Sequence, residues 1–340
     1  MSLRLIATAL GLSVTTVSRA LSDYADVAED TKRRVLAEAA RIGYVPNAVA
    51  RRLQKGRTDS IGVVAWLDNL GNSDTMLFDA VAAAWSRLDE LELDMVLLGT
   101  GLDLERDRAD RGPFKRTVRE RSVDGILLLR PQIDDWRIDF LRASDFPFVV
   151  LGATEQPLPG VITIGPDTDA AAAAVVARLT ELGHRAVACI SPVARHQYAR
   201  AHGAALRRRA AAVGLKVVLY EGPPSEDGGA ETTQAVLAEP SPPTAFVYLY
   251  NRMAHGGLTA LYRCGLTPGR DVAVISLGDD ALLPHTRPPL TAVRTPVRDM
   301  ARHGVDVLER MIRRQPPQAI PIWPAELILR DSDGPVAPAR

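Results

Sequence analysis

Leu12-Ser13-Val14-Thr15-Thr16-Val17-Ser18-Arg19-Ala20-Leu21 reads as a short helix that buries one face and offers the other. Ser13 is a good N-cap, Val17 and Leu21 stand four residues apart on one side, and Val14, Thr15, Ser18 and Arg19 are left on or near the opposite side. Upstream, Leu3, Ile6, Ala7 and Leu10 share a helical face, and Gly11 gives a tight turn in which a side chain has no room. Downstream, a third helix is expected from Glu29 to Ile42, with Val35, Leu36, Ala39 and Ile42 inward and Gly43 as its stop. The three helices predict a helix-turn-helix whose second helix can enter a major groove. Spacing alone also fits a purely structural three-helix bundle.

Charge separates this head from the rest. The chain has 340 residues, 46% hydrophobic, with 41 Lys/Arg against 41 Asp/Glu. Residues 1–60 hold ten Lys/Arg and six Asp/Glu, so the remaining 280 are mildly acidic. A basic head on an acidic body suits a nucleic-acid partner for the head only. Cys189 and Cys264, far apart within apolar segments, are expected as buried, reduced thiols, and neither has metal-ligand spacing. No apolar run reaches the roughly 18 residues of a membrane span, and no signal-peptide pattern opens the sequence, so a cytoplasmic protein is expected.

Tyr44 to Thr58 follows the head. Pro46 disfavours helix before it, Asn47 can cap, Ala48 to Gln54 favours helix and Gly56 can end it. Two turns fall well under the ~12 to 15 residues that an isolated helix needs, so this segment should fold only against a partner, such as a second chain with DNA beneath both. An ordinary basic linker is the other reading.

From Ser60 the pattern alternates. Short apolar runs at 61–65, 95–98, 125–129, 148–151, 161–164, 186–190, 217–220, 245–250 and 272–277 read as buried parallel strands, with helices expected at 80–93, 170–182, 200–213, 254–264 and 297–313. The fold class is α/β: a helix-turn-helix head and hinge helix, then a doubly wound body in two lobes. The expected divisions are a head at 1–46, a hinge at 47–59, an effector-binding and dimerisation domain at 60–330 and a flexible tail at 331–340. Within the body, 60–158 with 291–318 and 159–290 with 319–330 form the lobes.

Ile6-Ala7, Gly11-Leu12-Ser13, Thr16 to Leu21, Val27, Thr31, Arg34-Val35, Gly43-Tyr44, Pro46-Asn47, Ala50, Leu53 and Ile61-Gly62-Val63 resemble the head, hinge and first body strand of the lactose and galactose repressor family. The resemblance implies a homodimeric transcription factor, most often a repressor, on a palindromic double-stranded operator. Its paired hinge helices, carrying Asn47, Ala50 and Leu53, would wedge Leu53 into a central minor-groove step. By position, base reading falls to Val14, Thr15 and Arg19, and backbone positioning to Ser13, Thr16, Ser18, Thr31, Tyr44 and Asn47. Ala28 departs from the family's usual capping serine.

The body resembles the family's periplasmic-sugar-binding fold through Asp167, Leu179, Leu182 to Arg185, Arg200 with Gly203, Asp271 to Asp280 and Pro288 to Thr291. The resemblance implies allosteric control by a small molecule between the lobes, and for this branch a sugar or glycoside. Candidate effector contacts are Trp66, Phe78, Arg130, Asp167, Tyr198, Arg200, Tyr250, Asn251 and Asp279. Plainer roles stay open: Asp167 as a helix cap, Asp279 as an acidic turn, Arg200 as a surface arginine, and the aromatics as core. His184 reads as structural. No cofactor or metal is expected. A Rossmann-like enzyme is disfavoured because Gly99-Thr100-Gly101 lacks the third glycine of a dinucleotide fingerprint, and no P-loop or Gly-x-Ser-x-Gly elbow occurs. A binding protein with no DNA role is opposed by the intact head.

Overall fold

The computed structural model describes residues 3–21, 24–44, 56–66, 75–100, 112–193 and 195–336. It divides into two compact units, Met1–Asp59 and Ser60–Arg340. The expected hinge helix, with Asn47, Ala50 and Leu53, lies outside the described residues.

The first unit contains α1 (Leu3–Leu10), α2 (Val14–Leu21) and α3 (Glu29–Arg41). Ile6, Ala7, Val17, Ala20, Val35 and Ala39 form its core, and Leu21, Ile42 and Tyr44 pack at its edge. Leu36 is 55% exposed, contrary to the sequence reading. In so small a bundle the buried stripe of α3 is only wide enough for Val35, Ala39 and the stem of Lys32, and Leu36, one residue round from Val35, falls off it. Ala28 caps α3 without a side-chain hydrogen bond.

The second unit holds two sheets. The first has the order β2-β1-β3-β4-β5, all parallel, built from β1 (Ser60–Trp66), β2 (Asp94–Thr100), β3 (Gly125–Leu129), β4 (Phe148–Leu151) and β5 (Thr163–Ile164). Helices α4 (Thr75–Glu90), α5 (Pro113–Arg119), α6 (Trp136–Ala143) and the late α11 (Val297–Ile312) cover it: α4 and α11 share one buried cluster with the sheet, α5 and α6 the other.

The second sheet has the order β11-β10-β9-β8-β6-β7, from β6 (Ala186–Pro192), β7 (Lys216–Gly222), β8 (Ala245–Tyr248), β9 (Ala273–Ser276), β10 (Thr291–Arg294) and β11 (Glu326–Ile328), the last antiparallel. Helices α7 (Thr168–Glu181) and α8 (Gln197–Ala212) cover one face, α9 (Glu226–Leu237) and α10 (Asn251–Arg263) the other. Every strand of both sheets' interior is a short apolar run because both faces are covered.

The lobe boundaries differ from those read in the sequence. Residues 163–164 pair with β4 and so belong to the first lobe, while Thr291 and Ala292 pair with β9 and belong to the second. The chain therefore crosses near Pro166, near Thr295 and between α11 and β11, and the first and third crossings touch where Pro166 bridges Trp323 and the Asp167 N–H donates to the Trp323 carbonyl at 2.9 Å.

The expected flexible tail is also corrected for residues 331–336. Ser332 is fully buried; its hydroxyl donates to the Val274 carbonyl at 2.7 Å and accepts from the Thr291 N–H at 2.8 Å. Asp333 accepts from Arg178 at 2.6 Å and from the Thr291 hydroxyl. The Gly334 carbonyl lies 3.0 Å from His184 Nε2. Polar side chains that complete buried hydrogen bonds hold this segment, which hydrophobicity alone does not reveal. His184 is structural: its other ring nitrogen meets the Thr244 hydroxyl at 2.8 Å, and burial holds its pKa below the ordinary value.

Candidate reading helix and interlobe cleft

In the head, the Thr16 N–H donates to Ser13 Oγ at 3.0 Å, so Ser13 caps α2 as its sequence indicates. Val17 and Ala20 face the core; Val14, at 42% exposure, Thr15 and Arg19 face outward, with Thr16 and Ser18 half-buried at the edge. The Arg19 guanidinium is held by the Asp26 carboxylate and stands 4.9 Å from the centre of the Tyr24 ring. That pair is exposed and contributes at most about 1 kcal/mol, so it presents the arginine without locking it away. Thr31 lies half-buried in the first turn of α3, and Tyr44 packs partly on the core with its N–H donating to the Ala39 carbonyl.

In the body, the carboxyl ends of the strands in the two sheets face a common cleft of about 820 Å³, counted to its open mouth. This is where open α/β sheets bind ligands. Met76, Leu77, Leu129, Leu151, Leu249 and Leu277 are among its apolar walls, and Arg130, Tyr198, His202, Tyr250, Asn251 and Thr295 its polar side chains. Arg130, from the first lobe, lies over the rings of Tyr198 and Tyr250 from the second, 5.6 and 5.7 Å from their centres. Its backbone is left-handed, φ 51°, which turns the chain sharply out of β3. Gly152 sits against that turn with φ +146°; a Cβ there would meet Pro131 Cδ at 3.1 Å.

Asn251 opens α10 at the cleft wall, where its amide donates to Asp280 at 2.6 Å and its oxygen accepts from the Arg252 N–H, leaving a second N–H and a second lone pair for a ligand. His202 and Thr295 are polar cleft residues that sequence reasoning missed, although His202 lies four residues after Tyr198 on one face of α8. Burial brings its pKa down to about 4, and its Nδ1 has no partner among the described residues.

Several expected contacts lie elsewhere. Asp167 caps α7, accepting from the N–H groups of Asp169 and Ala170 at 3.1 and 2.8 Å. Asp279 is buried between Arg294 and Arg330 at 2.9 and 2.8 Å, where it ties β10 to the strand beside it. Arg200 is not among the residues that line the cleft and pairs with Glu155 of the first lobe. Phe78 is 47% exposed on α4, off the cleft. Trp66 ends β1. Cys264 is exposed at the end of α10, not buried, whereas Cys189 is buried and its thiol is pushed up to about 12.

A helix-turn-helix head joined to a two-lobed body with a cleft at the strand ends defines a ligand-responsive DNA-binding protein. Residues 2–47 match the model of bacterial regulatory proteins of the lacI family, and residues 176–332 that of a periplasmic binding protein-like domain. The HTH-type transcriptional regulator RafR of Escherichia coli is 33% identical over 280 residues, covering 82% of each chain. AglR of Rhizobium meliloti (strain 1021) is 31% identical over 353 residues, covering 100% of this chain and 96% of its own. Among solved structures, the lac repressor dimer bound to operator and an anti-inducer superposes with a TM-score of 0.84 at 25% identity, covering 98% of each chain. The chain belongs to the lacI family of bacterial regulatory proteins. It is a DNA-binding transcriptional regulator with an effector-binding domain.

Proposed function

We propose that the protein is a cytoplasmic homodimeric repressor of carbohydrate uptake or catabolism genes, acting by binding rather than catalysis and controlled by a sugar or glycoside in the interlobe cleft. The outward set of Val14, Thr15 and Arg19 on a capped helix carries the DNA half of the reading. Those side chains read bases, while Ser13, Thr16, Ser18, Thr31, Tyr44 and Asn47 position the backbone, and Leu53 wedges the central step. Support for a sugar comes from the regulator CelR, solved as a cellobiose complex, which shares the fold at TM-score 0.71 and 24% identity. Effector contacts fall to Arg130, Tyr198, Tyr250, Asn251 and His202.

One observation favours a second reading of the ligand. Among the described residues the cleft lining contains a guanidinium and no carboxylate. That inventory suits an effector with an anionic group beside Arg130 and an apolar body against the leucines. Fluorescence anisotropy on operator-length genomic fragments tests both halves. Binding should fall steeply with salt, because several Lys/Arg displace phosphate counterions. Neutral disaccharides and their acid or phosphorylated forms, titrated into the complex, separate the two ligand readings. A monomer that prefers no fragment would remove the DNA half.

A further inference from the structure

Beyond the cleft lining, the two lobes meet in direct main-chain contact. The Ile133 N–H of the first lobe donates to the Arg195 carbonyl of the second at 3.0 Å, and the Gln197 N–H returns a bond to the Pro131 carbonyl at 3.1 Å. Gln132 and His196 are thereby paired as a one-residue antiparallel bridge. We propose that residues 130–133 form a latch that holds the two lobes together without effector, so that the ligand acts on an already closed body.

Both sides of the bridge are anchored in local structure. Asp135 accepts from the Gln132 N–H at 3.0 Å, caps α6 through the Arg137 N–H, and is buried in a two-point pair with the Arg137 guanidinium at 2.8 and 2.6 Å. On the other side, Gln197 is the first residue of α8, whose leading N–H groups have no helical acceptor of their own. The latch supplies one. Arg130 adds its contact with Tyr198 and Tyr250, and Glu155 its ion pair with Arg200. These four interactions all join the β3 and β4 ends of one lobe to the β6–α8 corner or α10 of the other.

Their position makes them a latch rather than part of the hinge. Two of the three crossings leave the second lobe at β10 and β11, the other runs beside them where Pro166 bridges Trp323, and β6 stands three strands from β10. At ~4.8 Å per strand that is a lever of about 14 Å, so a rotation of roughly 15° about the crossings separates the bridge by about 4 Å, beyond hydrogen-bond range. Opening and an intact bridge are therefore exclusive. The regulatory step, which rests on reading the cleft as the effector site, is that a ligand touching Arg130 changes the same segment that carries the bridge.

Amide hydrogen exchange on the full, effector-free protein decides it. The Ile133 amide should exchange at least a hundredfold more slowly than an unstructured amide. Gln197→Pro deletes one latch donor at a first helical position that proline tolerates, after a His196 already extended at φ −106°, ψ 130°. It should speed Ile133 exchange at least tenfold while amides from 201 to 206 keep their protection. Glu155→Gln should accelerate the same amide severalfold. Unprotected exchange of Ile133 in the wild type overturns the latch, as does an unchanged rate in Gln197→Pro with α8 intact. Should Gln197→Pro lose α8 itself, no acceleration in Glu155→Gln has the same force. None of these measurements uses an effector, so failure of the ligand reading leaves them standing.

Discussion

The reading helix and the cleft treat polar side chains in opposite ways. On α2 the outward residues stay outward: Thr15 and Arg19 are exposed, and even the Asp26 pair leaves Arg19 44% exposed. Around the cleft the carboxylates are taken by local structure, Asp167 by the α7 N-terminus, Asp279 by Arg294 and Arg330, and Asp280 by Asn251. On a single helix, register alone decides which side chain faces out. At strand ends in a two-lobed body, the decision belongs to partners as far away as residue 330.

The sharpest way to break that comparison is to unfold one unit alone. Val17→Asp buries an unpaired charge in the small head core and should cost more than about 4 kcal/mol there, abolishing operator binding. All four tryptophans lie between residues 66 and 323, so the tryptophan-monitored urea transition should stay in place. A coincident shift would mean the two units are not independent. Next, Arg19→Ala should relax base preference at one operator position by about 1 to 3 kcal/mol. Equal weakening on every sequence would make Arg19 a phosphate contact instead.

The cleft has its own handle in pH. The His202 pKa near 4, below the unfolded value, means that the unfolded chain binds more protons between about pH 6.5 and 4. Stability is thus complete above about pH 6.5 and falls as pH drops toward 4, by on the order of 2 kcal/mol for this group. His184 is displaced in the same direction. Urea unfolding of wild type and His202→Gln across that window should show a flatter profile in the variant. The smallest expected effect is Ala28→Ser, which supplies the missing α3 cap and should stabilise the head by about 1 kcal/mol in thermal melts.

What could be read in advance follows the same division. α1, α2 and the Ser13 cap follow from spacing, and the strands at 125–129 and 148–151 from unbroken apolar runs. Helix α9 has no such signal, because Gly228-Gly229 opposes helix on propensity. The structure supplies the reason: a Cβ on Gly229 would stand 2.2 Å from the Met253 carbonyl, so glycine is what lets α9 lie against α10. Arg130, Tyr198 and Tyr250 were legible as polar and aromatic residues at strand ends or helix starts. The diversion of Arg200 to Glu155 was not, since nothing local to either residue marks a partner 45 positions away.

The placement of α11 gives the molecule a schedule. Met300, Ala301, Val305, Val307 and Leu308 fill the core of the first lobe, and residues 331–336 close the second, so neither lobe is complete until late in synthesis. The head needs nothing beyond Tyr44 for its own core. At about 5 to 20 residues per second, the ribosome leaves a folded head waiting roughly 15 to 60 s for a body able to answer a ligand. During that interval the nascent chain is a small basic module with no regulator attached.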